Sequence, residues 1–259
     1  MELELYTQVK RSVKTLLDIN LDHYKDEQMR RRLDSWLVRS GAATWPDYFR
    51  RVRLDDQERE RLRNYLTINV SAFFRDPERW HDLGQNVIPE LSKAAPRLRV
   101  WSAGCSIGLE PYSLAMLLDE MTPLRRHTLI ATDLDRGALA KARARGPYSA
   151  QDMQNLSEAQ RARYFEPGNP PSCVTPSLAR HVQFREHNLL DDEFEGEFDL
   201  IVCRNVVIYF TNTAKDRLYR KFHAALKPGG VLFVGSTEII PHATEIGFRS
   251  HGISFYRKV

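Results

Sequence analysis

The chain is poor in cysteine: Cys105, Cys173 and Cys203 are the only three in 259 residues. The count is odd and no pair has metal-ligand spacing, which argues against a disulfide framework and a cysteine metal site and for reduced thiols in a cytoplasm. No apolar run nears the ~20 residues that span a bilayer. The start, Met1-Glu2-Leu3-Glu4, is acidic and lacks the basic and apolar regions of a signal peptide. A cytoplasmic protein with no membrane insertion is expected. Charge of one sign is also scarce, since 38 basic and 34 acidic residues leave +4. That is too little to argue for a nucleic-acid partner. Internal repeats and low-complexity tracts are absent. What remains is ordinary for a globular chain, 42% hydrophobic and 28% charged, and long enough for one large domain and a smaller one.

Residues 1 to about 80 read as helical. Leu16, Leu17, Leu33, Trp36 and Leu37 have helical spacing, Gly41 stops a helix, Trp45-Pro46 starts another, and Asp56 to Leu66 forms a further, heavily charged run. From residue 97 strands alternate with helices. Strands are expected at 98–102, 129–132, 181–185, 198–203 and 231–234, with Lys227-Pro228-Gly229-Gly230 as a turn and a terminal hairpin within 248–257. The rhythm predicts an α/β fold with a doubly wound, mostly parallel sheet. Proline-rich sequence from Ser149 to about Arg180 interrupts it. The predicted organisation is an N-terminal all-helical domain with linker at 1–80 and a ligand-binding domain at 81–259, with a small inserted subdomain at 149–187.

The most informative stretch is Arg99 to Tyr112, an apolar strand entering a small-residue loop with Gly104 and Gly108 and then a helix. This is how an α/β protein brings backbone close to a nucleotide-like ligand, although the spacing is not G-x-G-x-x-G. An unliganded tight turn would look the same. Asp133 ends the second strand, where a carboxylate can accept both hydroxyls of a ribose. It fits equally as the N-cap of the helix from Arg136. Cys203-Arg204-Asn205 ends the fourth strand. Loop, acid and asparagine thus fall at strand ends where doubly wound sheets bind ligands.

Several stretches together carry a family resemblance: Asn69-Val70-Ser71-Ala72-Phe73-Phe74-Arg75-Asp76, Trp101 to Ser113, Ala131 to Asp135, Phe198 to Phe210 and Leu226 to Gly230. In these the chain resembles the chemotaxis receptor glutamate O-methyltransferases, the CheR family. The resemblance implies a class I S-adenosylmethionine-dependent methyltransferase fold. It implies S-adenosyl-L-methionine as cofactor, S-adenosyl-L-homocysteine as product, and no metal. It also implies that Asn69, Ser71 and Arg75 close over the cofactor beside Gly104, that Glu110 serves its polar tail and Asp133 its ribose, that Asn188 and Leu189 meet the adenine, and that Arg204 and Asn205 complete the pocket. Arg75 and Tyr209 would lie nearest the transferred methyl. The chain departs from relatives at Ile107 and Leu109, where threonine and glutamate are frequent, and at Ser71, where serine keeps a threonine's hydroxyl.

Each residue has a plainer reading: Phe73 and Phe74 as core, Tyr209 as a core tyrosine, Arg75-Asp76 as a surface ion pair, Asn188 as a loop stabiliser. The implied substrate is a glutamate carboxylate on the cytoplasmic signalling domain of a chemotaxis receptor. The arginine-rich helical domain offers Arg30, Arg31 and Arg39 to that acidic partner, against the plainer reading of a solvated face. The short, proline-rich insertion argues against docking of a receptor's C-terminal peptide by strand addition. A monomer is expected. Two rival readings are a nucleic-acid methyltransferase, disfavoured because residues 203–210 lack an Asp/Asn-Pro-Pro-aromatic stretch, and a cofactor-sensing module without catalysis, disfavoured by Arg75 and Tyr209.

Overall fold

The computed structural model describes residues 1–67 and 71–259, and the expected cofactor residue Asn69 lies outside them. The chain forms two compact units, Met1–Ile68 with Ile208–Lys215, and Asn69–Val207 with Asp216–Val259.

The smaller unit holds four helices: α1 (Leu3–Leu17), α2 (Asp26–Arg39), α3 (Trp45–Leu54) and α4 (Asp56–Leu66). Their apolar residues recur every three or four positions, and Tyr6, Val9, Val13, Leu33, Trp36, Tyr48, Phe49 and Leu62 are buried. Thr44 and Asp55 cap α3 and α4 by accepting backbone N–H bonds. The segment 208–215 joins this unit through backbone. Lys25 N–H donates to the Tyr209 carbonyl at 3.0 Å, and Thr211 N–H to the His23 carbonyl at 2.9 Å.

The larger unit begins with helices α5 (Pro77–Asp82) and α6 (Ile88–Ala94), joined by a π turn. The sequence pattern carried the helical domain and its linker to residue 80, whereas the division here falls at 68/69. Phe73, Phe74, Trp80, Leu83 and Ile88 explain the difference, because they pack into the core of the larger unit. That core surrounds a seven-stranded sheet built from β1 (Arg99–Ala103), β2 (Thr128–Asp133), β3 (Val182–Glu186), β4 (Phe198–Cys203), β5 (Leu226–Val234), β6 (Phe248–Ser250) and β7 (Phe255–Lys258). The order is β3-β2-β1-β4-β5-β7-β6. β1 to β5 are mutually parallel and β7 runs antiparallel. All six residues of β4 are buried, as in a central parallel strand covered on both faces. The order reverses between β1 and β4, which makes that edge the switch point. β5 takes in the Lys-Pro-Gly-Gly segment expected as a turn. Its pairing with β4 jumps from Phe198↔Leu226 to Leu200↔Val231, so the turn is a bulge within the strand.

Helices α7 (Leu109–Met121), α8 (Arg136–Arg143) and α11 (Asn212–Ala225) flank the sheet, with the short α12 (Ala243–Ile246) before β6. Between α8 and β3, the insertion carries α9 (Glu158–Tyr164), capped by a Ser157–Gln160 capping box, and α10 (Pro176–Ala179). Its only β contacts among the described residues are the isolated bridges Tyr148↔Ser172 and Phe165↔Val174. The expected insertion at 149–187 overruns into β3, whose pairing with β2 makes Val182–Glu186 part of the main sheet. Among the described residues, no helix is long and apolar enough to cross a membrane.

Candidate active site

The loop after β1 is set by backbone geometry. Gly104 and Cys105 N–H both donate to the Thr132 carbonyl, at 2.8 and 2.9 Å, which ties the loop to the end of β2. Gly104 has φ +88°, and a Cβ there would stand 2.6 Å from Val206 Cγ2. Only glycine fits both constraints. Gly104→Ala is therefore expected to lower thermal stability by more than the ~1 kcal/mol of an ordinary Gly/Ala conflict and to weaken cofactor binding. Calorimetric melting and titration would measure both, and an unchanged melting temperature would contradict this reading.

Two carboxylates face the loop. Asp133 accepts Ser106 N–H at 2.7 Å and Asp135 N–H at 2.9 Å. Burial raises its pKa to about 6 against these bonds, which pull it down. The helix cap that sequence also allowed for Asp133 belongs to Asp135, which accepts Ala138 N–H at 2.8 Å at the start of α8. Asp133 keeps acceptor capacity for other partners. Glu110, in the first turn of α7, accepts the Ser102 hydroxyl at 2.8 Å. Burial pushes its pKa up to about 7, although Arg204, Ser102 and Arg75 all favour its ionised form.

Arg204 is buried, with its guanidinium 4.7 Å from the Phe233 ring centroid. Nη1 donates to the Arg75 carbonyl at 2.9 Å and Nη2 to Asp76 Oδ2 at 2.7 Å. Arg75-Asp76 is thus not the plain surface pair that sequence left open. Asp76 is instead paired with Arg204, from the end of β4. Asn205 follows with φ +59°, and its N–H donates to Glu238 at 3.1 Å. Glu238, buried after β5, also accepts Gly235 N–H at 2.6 Å. Sequence reasoning read Asp76 only as a surface partner of Arg75 and passed over Glu238. Extending the strand-end rule to β5 would have pointed to Glu238.

The structure thus gathers Gly104, Glu110, Asp133, Arg204, Asn205 and the Arg75 backbone at the carboxyl ends of β1, β2 and β4. His187 N–H donates to the Asp133 carbonyl at 3.0 Å, which brings the segment after β3 to the same edge. Within that segment the Asn188 side chain is engaged locally, donating to Asp191 at 2.9 Å and accepting Leu190 N–H at 3.1 Å. Leu189 is buried and its carbonyl accepts Lys221 Nζ. Ser71 is half-buried, and no hydrogen bond joins it to the cluster among the described residues. Tyr209 is counted with the smaller unit. There Arg32 lies close enough to Tyr65 and Tyr209 for both to act on its charge.

Residues 69–254 match the family model described as CheR methyltransferase, SAM binding domain, and residues 4–67 match the CheR methyltransferase all-alpha domain. The chain belongs to the CheR family. The chemotaxis protein methyltransferase of Listeria monocytogenes is 39% identical over 254 residues, covering 98% of this chain and 97% of that protein. Chemotaxis protein methyltransferase 1 of Pseudomonas aeruginosa is 38% identical over 81% of this chain and 80% of its own length. The Escherichia coli chemotaxis protein methyltransferase is 39% identical over 69% of this chain and 64% of its own length. As a CheR-family member, the chain is an S-adenosylmethionine-dependent protein methyltransferase of chemotaxis, and its sheet order is that of the class I fold expected from sequence.

The residues present suit that cofactor. S-adenosylmethionine carries a ribose diol and an α-ammonium group, both donors, and the site offers the acceptors Asp133 and Glu110. Its carboxylate needs a donor. Arg204 Nε is buried and has no partner among the described residues.

Proposed function

We propose that the enzyme methylates glutamate side chains on the cytoplasmic signalling domain of chemotaxis receptors, giving methyl esters. The observation that carries this reading is a site of orienting and charge-balancing groups, in which both carboxyls that face the loop, among the described residues, are already held by hydrogen bonds of their own. A glutamate carboxylate has an ordinary pKa of about 4.3 and is already ionised at neutral pH, so no proton need be removed. The two carboxyls of the site, Glu110 and Asp133, are held by Ser102 and by backbone N–H groups. They serve as acceptors for the cofactor.

The bound cofactor supplies a methyl on a positively charged sulfur. The protein's task is to hold the incoming carboxylate in line and to strip its water, since attack neutralises charge and hydration opposes it. Asp133 and Glu110 hold the ribose and the ammonium, and Arg204 and Asn205 close the pocket. Ser71 closes over it, the part assigned by resemblance to Asn69 lies outside the described residues, and the backbone after β3 at Asn188 and Leu189 borders the adenine. Arg75 and Tyr209 aim the substrate carboxylate.

The deciding experiment is incubation with methyl-labelled cofactor and either a receptor signalling domain or RNA. Base-labile label on the receptor, mapped to glutamates, is expected. Label on RNA alone, or on no substrate, would overturn the proposal.

The receptor's acidic helices would meet the arginines of α2. Arg31 is exposed and pairs with Glu27 at 2.7 Å in a solvent-screened contact of little energetic weight. Arg30 and Arg39 lie over the rings of Tyr6 and Tyr65, at 4.9 and 5.5 Å. Each cation thus rests against an aromatic ring. Arg31→Glu with Arg39→Glu is expected to raise KM for the receptor about tenfold or more at low salt, with the difference shrinking as salt is added. Cofactor affinity should not change. Equal loss of both would indicate damage to the fold.

The insertion supports independence from peptide tethering, because single bridges offer no run of free backbone groups for strand addition. Micromolar binding of a receptor C-terminal peptide in calorimetry would contradict that.

A further inference from the structure

The stretch Phe73–Asp76 is held from five directions by contacts that leave little backbone freedom. Phe73 N–H donates to the Asp152 carbonyl at 2.9 Å, and the Phe73 carbonyl accepts Asn155 Nδ2 at 3.0 Å. Phe74 N–H donates to Ser113 Oγ at 3.0 Å. The Arg75 carbonyl accepts both Trp80 Nε1 and Arg204 Nη1, each at 2.9 Å. Asp76 Oδ2 accepts Arg204 Nη2 at 2.7 Å and the Ser236 hydroxyl at 3.0 Å. These anchors come from the insertion, α7, α5, and the ends of β4 and β5.

The backbone they hold is strained. Phe74 and Asp76, on either side of Arg75, both sit at positive φ, +48° and +59°. Aspartate tolerates that region, but phenylalanine adopts it only where the surroundings dictate. Strain maintained by such a network marks places where one side chain must be delivered to one position. The side chain delivered here is Arg75. The main anchor, Arg204, is a buried cation whose two Nη groups go to the carbonyl of Arg75 and the carboxylate of Asp76. Stability alone gives little reason to bury a cation on a loop carbonyl, because desolvation offsets the gain.

We propose that Asp76, acting with Arg204 and Trp80, is a positioning residue that latches the strained turn so that Arg75 faces the reacting carboxylate. This rests on the role given to Arg75 above. Asp76 touches neither substrate nor cofactor in this scheme. It fixes Arg204, and Arg204 with Trp80 fixes the peptide of Arg75.

The test is a double-mutant cycle in the full-length enzyme, with methyl-labelled S-adenosylmethionine and a receptor signalling domain. Asp76→Asn is nearly isosteric, and Trp80→Phe removes only the indole donor while keeping the ring. Each is expected to lower kcat, measured at saturating cofactor, about 10- to 100-fold. In an Arg75→Ala background neither should lower kcat further, because the group being positioned is gone. A merely structural role would multiply the losses in both backgrounds, and that outcome overturns the latch. Should Asp76→Asn fail to fold, Trp80→Phe closes the cycle alone. If Arg75→Ala itself keeps wild-type kcat, the role of Arg75 fails and the latch with it. Additive losses beside an impaired Arg75→Ala remove the latch alone.

Discussion

Arg75→Ala is expected to lower kcat on a receptor signalling domain about 100-fold at saturating cofactor. Tyr209→Phe is expected to lower it about 10- to 100-fold, the loss of one hydrogen bond to a charged group. The reasoning starts from the reaction's charge. Substrate and methyl donor carry opposite charges that diminish as the bond forms, so a group that binds the carboxylate too tightly favours the ground state. In the proposed reaction Arg75 and Tyr209 would therefore act by fixing direction and excluding water. The two variants should differ at the cofactor. Arg75 is one of the charges favouring ionised Glu110. Removing it should raise the Glu110 pKa further and weaken cofactor binding at neutral pH. Tyr209→Phe leaves that balance unchanged, so its cofactor affinity should match wild type. Single-turnover transfer with titration calorimetry separates these effects. Wild-type turnover by both variants would sink the assignment.

Much of the larger unit was legible because its strands carry strong local signals. Phe198 to Cys203 is apolar apart from Asp199 and carries the β-branched Ile201 and Val202, and it forms the buried central strand β4. The sequence left Asp133 open between ligand and helix cap, and the structure gives Asp133 to the loop and the cap to Asp135. Other features depend on contacts distant in sequence. The helices at 77–94 begin at Pro77 and Ile88-Pro89 and are separated by a π turn at Gly84, and they are fixed by packing in the core rather than by periodicity. Lys-Pro-Gly-Gly has the composition of a turn, yet pairing with β4 resumes beyond it and makes it a bulge. Glu238 acquires its place only when β5 lies beside β4 and Asn205 offers its N–H. The pairing of Asp76 with Arg204 spans 128 residues, beyond any local pattern. Asn188 shows the converse, since its motif position suggested adenine while its side chain stabilises its own turn.

Glu110→Gln is expected to weaken S-adenosylmethionine binding about 10- to 100-fold and at the same time to raise the melting temperature of the cofactor-free protein at pH 8. Both follow from one cause. Burial favours the neutral form of Glu110 and lifts its pKa from the ordinary 4.5 to about 7. A carboxyl raised in the folded state contributes stability fully below its unfolded pKa, and the contribution fades as pH rises through the folded value. For Glu110 the window runs from about 4.5 to about 7. At pH 8 the cofactor-free protein holds a buried charge, which glutamine removes while its Oε1 still accepts the Ser102 hydroxyl. A gain of roughly 2–4 °C is expected for each kcal/mol recovered. Binding has the opposite preference. On the proposed pairing of the cofactor's α-ammonium with ionised Glu110, wild-type affinity should fall about tenfold for each pH unit below about 7. Above roughly pH 8 the ammonium itself begins to lose its proton, so affinity should peak between the two values. Titration calorimetry from pH 5.5 to 7.5 should show that slope in wild type and a nearly flat profile in Glu110→Gln. A flat wild-type profile would place the ammonium elsewhere. Asp133 titrates lower, at about 6, and its acceptor role toward the diol should add a smaller loss at the acid end that persists in Glu110→Gln.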